Sequence, residues 1–160
     1  MRWRYRETMD LHPDFKDLLA EFERSKASYA LLGGYAVSYH GKPRATKDLD
    51  VIVSALGDNL SRVASALAAF GAPASVVEGA RRLAPTEVLY LGVPPVRVDI
   101  LRAADGIDAE VAIARAELAT IAGLSVPILR IEDLIANKRA AGRPQDLADV
   151  DLLERVLASR

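Results

Sequence analysis

The stretch that decides the fold runs Leu31-Leu32-Gly33-Gly34-Tyr35-Ala36-Val37-Ser38-Tyr39-His40-Gly41, crosses Lys42-Pro43-Arg44-Ala45-Thr46-Lys47, and ends in Asp48-Leu49-Asp50-Val51-Ile52-Val53. Tyr29 to Leu32 reads as a short apolar strand, which the glycine pair breaks. Tyr35 to His40 then reads as a short helix ended by Gly41. A strand follows over Leu49–Val53. Side chains on a strand alternate, so Asp48 and Asp50 share one face while Leu49 and Val51 take the other. Two neighbouring carboxylates repel, and each raises the other's pKa unless a cation lies between them. Oxygen ligands of this kind suit a hard cation, Mg2+ or Mn2+.

Working outward, Asp10 to Lys26 has helical spacing, with Leu11, Phe15, Leu18, Leu19 and Phe22 on one side. Beyond the acidic strand come an Ala-rich helix, Asn59 to Phe70, closed by Gly71, and two strands, Glu87–Leu91 and Val96–Leu101, joined by a Gly92–Pro95 turn. The pattern continues with a helix over Ala109–Leu118, a short strand at Val126–Leu129, and two last helices, Ile131–Ala141 and Pro144–Leu157. Pro144 opens the second of these, where a missing N–H costs nothing. Hairpin-like strands mixed with helices predict an α/β (α+β) protein in which a small mixed sheet is flanked by helices and followed by a C-terminal helical pair. The expected organisation is a single domain over residues 1–160, with a core of about 28–130 and terminal helices over 131–158.

Composition narrows the function classes. A net charge of −1 offers no bulk attraction for a polyanion, so contact with nucleic acid would need a local basic patch, such as Arg2, Arg4 and Arg6 or Arg81-Arg82. The absence of cysteine excludes disulfides and thiolate metal sites. No apolar stretch follows the basic N-terminus and none approaches the length of a membrane span, so the expectation is a cytoplasmic protein with no membrane partner.

A third carboxylate, Asp99, lies within Val96-Arg97-Val98-Asp99-Ile100-Leu101. An unpaired charge is costly among apolar neighbours. Asp99 either pairs with Arg97 or Arg102 or, if its strand neighbours the first, joins Asp48 and Asp50. Three such carboxylates can bind two metals, one activating an attacking hydroxyl and one stabilising a leaving pyrophosphate. Gly33 and Gly34 let backbone N–H groups approach a triphosphate at the positive end of a helix, or simply supply a turn with positive φ. Lys42, Arg44 and Lys47 contact phosphates or offset the acids, and Thr46 caps or orients the acidic strand. His12 and His40 have no ligand spacing and read as helix-end residues.

Leu32-Gly33-Gly34-Tyr35-Ala36, then Arg44-x-Thr46-x-Asp48-x-Asp50, then Asp99 on a later strand, resembles the polymerase-β-like nucleotidyltransferase superfamily. The similarity is greatest to small bacterial nucleotidyltransferase toxins of the AbiEii and MenT type, and more distant to antibiotic-modifying nucleotidyltransferases. It implies an enzyme that moves a nucleoside monophosphate from an NTP such as ATP to a hydroxyl on tRNA, protein or a small molecule. Asp48, Asp50 and Asp99 would be its catalytic and metal-holding acids, and Gly33, Gly34, Arg44, Thr46 and Lys47 its nucleotide contacts. The toxin-like relatives also imply a cognate antitoxin or toxin partner. One departure is Gly34, where many members place a serine on the triphosphate. Lys138, Arg143, Asp146 and Asp149 resemble a C-terminal Lys–Arg–Asp–Asp pattern near the active site in those relatives. Lys138 is read either as a phosphate contact steadied by Asp149 or as one side of an ion pair docking two helices. The alternative to an enzyme is an inactive module of the same fold that binds nucleotide or a partner protein.

Overall fold

The structure is a computed structural model and describes residues 10–43, 46 and 48–160. The basic N-terminus (Arg2, Arg4, Arg6) and Arg44, Ala45 and Lys47 lie outside the described residues. In chain order the described elements are α1 Pro13–Arg24, β1 Tyr29–Leu32, α2 Gly33–His40, β2 Asp48–Val53, α3 Asn59–Phe70, α4 Ala74–Arg81, β3 Leu89–Val93, β4 Val96–Leu101, α5 Ala109–Ala114, β5 Glu117–Ile121, β6 Leu124–Ile128, α6 Ile131–Ala141 and α7 Pro144–Ala158.

Local chemistry accounts for most of the helix ends. The His12 Nδ1 accepts the Asp14 N–H at 3.1 Å, and Pro13 occupies the first turn of α1, which buries Phe15, Leu18, Leu19 and Phe22. Helix α3 closes on Gly71, whose φ of +98° brings the Ala72 N–H back to the Leu67 carbonyl at 2.9 Å. Gly142 (φ +68°) ends α6 in the same left-handed conformation. At the start of α7, Pro144 follows Arg143, whose backbone N–H donates to Asp146 at 3.2 Å.

Six strands form one mixed sheet in the order β3-β4-β2-β1-β6-β5. β2 runs antiparallel to β1 and parallel to β4, and β1 runs parallel to β6. Helix α1 packs on α3 and β6, α3 on α4 and β2, and α4 on β3. Helix α2 packs on β1 and β2 and against both α6 and α7, so the C-terminal pair is anchored beside the acidic strand. The core is built from aliphatic side chains, with Leu31, Leu49, Val51, Ile52, Leu67 and Ile100 fully enclosed and Phe15 and Phe22 as its large rings. Among the described residues no helix is long and apolar enough to cross a membrane.

Three expectations need correction. The predicted helix over Ala109–Leu118 stops at Ala114, and Glu117–Ile121 is a strand. Ala122 (φ +51°) and Gly123 (φ +81°) form the two-residue turn that folds β5 onto β6, and this pairing overrides the helical propensity of the segment. The glycine pair does not separate strand from helix, because Gly33 is already the first residue of α2. Helix α4, absent from the sequence reading, forms over Ala74-Ser75-Val76-Val77-Glu78-Gly79-Ala80-Arg81. Its valines and glycine are poor helix formers, and tertiary packing stabilises it: Ala80 is buried, and Gly79 lies so close to Leu89 that a Cβ would stand 2.9 Å from its Cδ1.

Candidate active site

β2 supplies the first two acids. Leu49 and Val51 are fully buried on one face, and alternation leaves Asp48 and Asp50 together on the other. The parallel partner β4 places Asp99 beside Asp50 and Arg97 beside Asp48. The adjacency on which the three-acid reading depended therefore exists, although β2 and β4 are separated in sequence by two helices and a strand.

The row of acids is not empty of positive charge. Arg97 grips Asp99 with two hydrogen bonds, Nε to Oδ1 at 2.7 Å and Nη2 to Oδ2 at 3.0 Å, and reaches Asp48 Oδ2 at 3.2 Å. Of the two arginines that sequence offered Asp99, Arg97 is the partner; Arg102 donates instead to the Leu83 carbonyl at 3.0 Å. The second Asp48 oxygen, Oδ1, is buried with no hydrogen-bond partner among the described residues. Burial, then the charges of Asp99 and Asp48, push the Asp50 carboxyl up from 3.8 to about 6, against the lowering influence of Lys138 and Arg97.

Asp50 is pressed against the start of α2. A Cβ at Gly33 would stand 2.0 Å from the Asp50 Oδ2, and Gly33 itself has φ +67°. A Cβ at Gly34 would meet the Thr46 Cγ2 at 2.6 Å. Gly33 is required by its φ and by the Asp50 contact, and a serine at position 34 would force the Thr46 side chain to shift, which gives the departure there a steric reason. The first turn of α2 carries no side-chain cap and no acidic residue. The start of α2 borders a cleft of about 800 Å³ lined by Gly33, Gly34, Thr46, Asp48, Asp50 and, from the far wall, Lys138. Asp99 stands beside this cleft rather than in its lining.

The far wall comes from α6 and α7. Lys138 is 7% exposed, and its Nζ lies 3.3 Å from both Asp146 Oδ1 and Asp149 Oδ2. Asp146 also accepts from Arg143 Nε at 2.6 Å, and Asp149 from Gln145 Nε2 at 3.1 Å. Hydrogen bonding from Arg143 holds the Asp146 carboxyl below the usual range although burial opposes it. The ion pair that docks two helices is therefore present, and Lys138 and Arg143 nonetheless line the cleft. Sequence reading left Arg143 out of the nucleotide contacts; its place three residues before Asp146, just ahead of the proline that opens a helix, was the available signal.

His40 is structural. Buried at the end of α2, it pairs through Nε2 with the Leu129 carbonyl at 2.8 Å and through Nδ1 with Arg160 at 3.3 Å. One neutral tautomer, with the proton on Nε2, satisfies both contacts. His12 serves as the cap of α1.

The donor set fits a hard divalent cation: three carboxylates, one with a buried oxygen that has no partner among the described residues and one whose ionisation is opposed by burial and by its two acidic neighbours. Among the described residues no three acids form a ready-made metal cluster, and Arg97 bridges Asp48 and Asp99.

Known proteins share the family profile and the fold. The sequence profile of the family described as nucleotidyl transferase AbiEii toxin, type IV toxin–antitoxin system, matches residues 17–159. No curated protein sequence matches the chain. Solved structures with the same fold include the lincosamide antibiotic adenylyltransferase LnuA bound to lincomycin (TM-score 0.59, 17% identity, covering 91% of this chain and 98% of that one). They also include ANT(2″)-Ia in complex with adenylyl-2″-tobramycin (0.56, 17%, 89% and 90%). A third is an antigenic nucleotidyltransferase-like protein from Paracoccidioides brasiliensis (0.53, 12%, 89% and 75%).

Proposed function

Since the chain belongs to the AbiEii nucleotidyl transferase toxin family and is a nucleotidyltransferase, we propose that it transfers a nucleoside monophosphate from an NTP to a hydroxyl by a metal-dependent reaction at the β2–β4 acids. The observation that carries this reading is Asp50. A half-buried carboxyl pushed up to about 6 by desolvation and by two like charges, lining a cleft with Lys138 on its other wall, suits a cation and a polyanion together.

Asp48, Asp50 and Asp99 would hold the metal, Mg2+ or Mn2+. When bound, it lowers the pKa of the acceptor hydroxyl and neutralises charge on the departing pyrophosphate. The uncapped start of α2, with Gly33 and Gly34, receives the triphosphate through backbone N–H groups, and Thr46 orients the loop beside it. Lys138 and Arg143 contribute positive charge from the far wall; Asp146 and Asp149 fix the lysine's position. Arg44 and Lys47 are assigned to the phosphates on sequence grounds alone. The acceptor oxygen attacks the α-phosphorus, its bond to phosphorus forms as the bond to the bridging oxygen of the β-phosphate breaks, and Asp99 assists removal of the hydroxyl proton.

The family's description as a type IV toxin supports a toxin role with a cognate antitoxin. The acceptor in this reading is a hydroxyl of RNA (tRNA) or protein. ATP is one candidate donor, and adenylyl transfer is what the LnuA and ANT(2″)-Ia structures represent. The chain is read as one working domain, with a core of about 28–130 and its helices 131–158 closing the cleft.

The test is incubation with each α-labelled NTP, Mg2+ and either total RNA or cell lysate, with an Asp48→Ala/Asp50→Ala variant alongside. Label should appear on a macromolecule with the wild type alone. Absence of labelling by both proteins, or equal labelling, would favour the inactive binding module.

A further inference from the structure

The third acid of the site is already engaged within the protein. Arg97 takes both oxygens of Asp99 and one oxygen of Asp48, while among the described residues nothing hydrogen-bonds Asp50. The Arg97 side chain is 30% exposed, and the acids it holds are 33% (Asp48) and 15% (Asp99) exposed, so the whole contact lies at the surface of the sheet. Arg97 also has a second anchor free of the carboxylates: its Cζ lies 4.8 Å from the centroid of the Tyr90 ring. Tyr90 is directly opposite Asp99 on β3 and 52% exposed, so the ring extends the same face outward from the acidic row.

Resting on the metal-dependent reading above, we infer that Arg97 is a resident cation of the metal-free enzyme, a positioning residue that holds Asp99 and Asp48 in register and releases them, remaining on Tyr90, when a divalent cation takes its place. Two physical points carry this. Three carboxylates on adjacent strands need a counter-charge at all times, and Arg97 supplies one in the absence of metal. The same fork that holds the row together competes for the oxygens a divalent cation needs, so it sets the metal affinity. The Tyr90 face gives the released guanidinium a nearby resting place, which lets the exchange proceed without unpacking β3 or β4.

The test is Mn2+ titration by calorimetry, without nucleotide, of wild type, Arg97→Gln, Arg97→Lys and Asp50→Asn. Arg97→Gln removes the competing charge and is expected to bind Mn2+ at least tenfold more tightly than wild type. Its metal-free melting temperature should fall, and its gain in melting temperature on adding Mn2+ should exceed the wild-type gain. Arg97→Lys keeps the charge without the fork, is the safer variant for folding, and should fall between the two. Asp50→Asn should weaken binding strongly. Mn2+ affinity that depends on Asp50 but is unchanged or lower in both Arg97 variants overturns the resident-cation role and makes the pair merely structural, leaving the metal reading intact. If no protein in the set shows Asp50-dependent binding, the metal reading fails and the inference fails with it.

Discussion

Replacing Asp50 by Asn should make the metal-free protein more stable at neutral pH. A carboxyl that titrates at 3.8 in the unfolded chain and at about 6 when folded binds its proton more tightly in the native state. Stability from this group is therefore fully present below 3.8 and is lost as pH rises through 6. Above that point the ionised Asp50 costs about 3 kcal/mol, from 1.36 kcal/mol per pH unit of separation. At pH 4.5 the same relation leaves about 1 kcal/mol. Asn has nearly the shape of the protonated acid and carries no charge at any of these pH values. In EDTA, urea unfolding of wild type and Asp50→Asn should thus differ by about 3 kcal/mol in favour of the variant at pH 8, and by about 1 kcal/mol at pH 4.5. For a chain of this size the pH 8 gap corresponds to a melting temperature roughly 6–12 °C higher in the variant. Adding Mg2+ should raise wild type toward the variant and leave the variant where it was, because a ligand that binds only the native site stabilises it by mass action. Equal stability of the two proteins at pH 8 in EDTA, or the same gap at both pH values, would refute the account of Asp50 as a destabilised charge.

Two further outcomes follow from the cleft. Gly33→Ala places a Cβ 2.0 Å from the Asp50 carboxylate at a φ of +67°. It should lose at least about 1–2 kcal/mol from backbone strain alone and abolish nucleotidyl transfer, read by thermal melting and by the labelling assay. Lys138→Met removes the cation between two buried aspartates and should cost about 3 kcal/mol, measured by urea unfolding. If Lys138 also meets phosphate, NTP affinity measured well below the melting transition should drop as well; unchanged affinity in the folded variant would restrict Lys138 to the ion pair.

How much of this was legible in the sequence depends on the range of the interactions concerned. The two-residue alternation of a strand is local, so the shared face of Asp48 and Asp50 and the buried opposite face of Leu49 and Val51 could be read directly. Helix ends set by backbone conformation were equally local: Gly71 and Gly142 stop α3 and α6 because each adopts a left-handed φ that other residues avoid, and Pro144 starts α7. Ala122-Gly123 could not be read in this way, because it is a less usual pair for a hairpin turn, and the strand it creates was read as helix.

Tertiary structure decided what the acids do. Nothing in residues 48–50 says that β4 will lie parallel to β2, and only that pairing sets Asp99 beside Asp50 and Arg97 beside Asp48. The choice of Arg97 over Arg102 as the partner of Asp99, the burial that lifts the Asp50 carboxyl, and the enclosure of Lys138 between Asp146 and Asp149 are likewise consequences of elements meeting across the sheet and across the C-terminal helices. The physical reason is one of range. Propensity, capping and alternation act over a few residues and are written into neighbours along the chain. Charge, desolvation and steric fit act over a few ångströms, and which residues come within those ångströms is determined by the packing of the whole sheet.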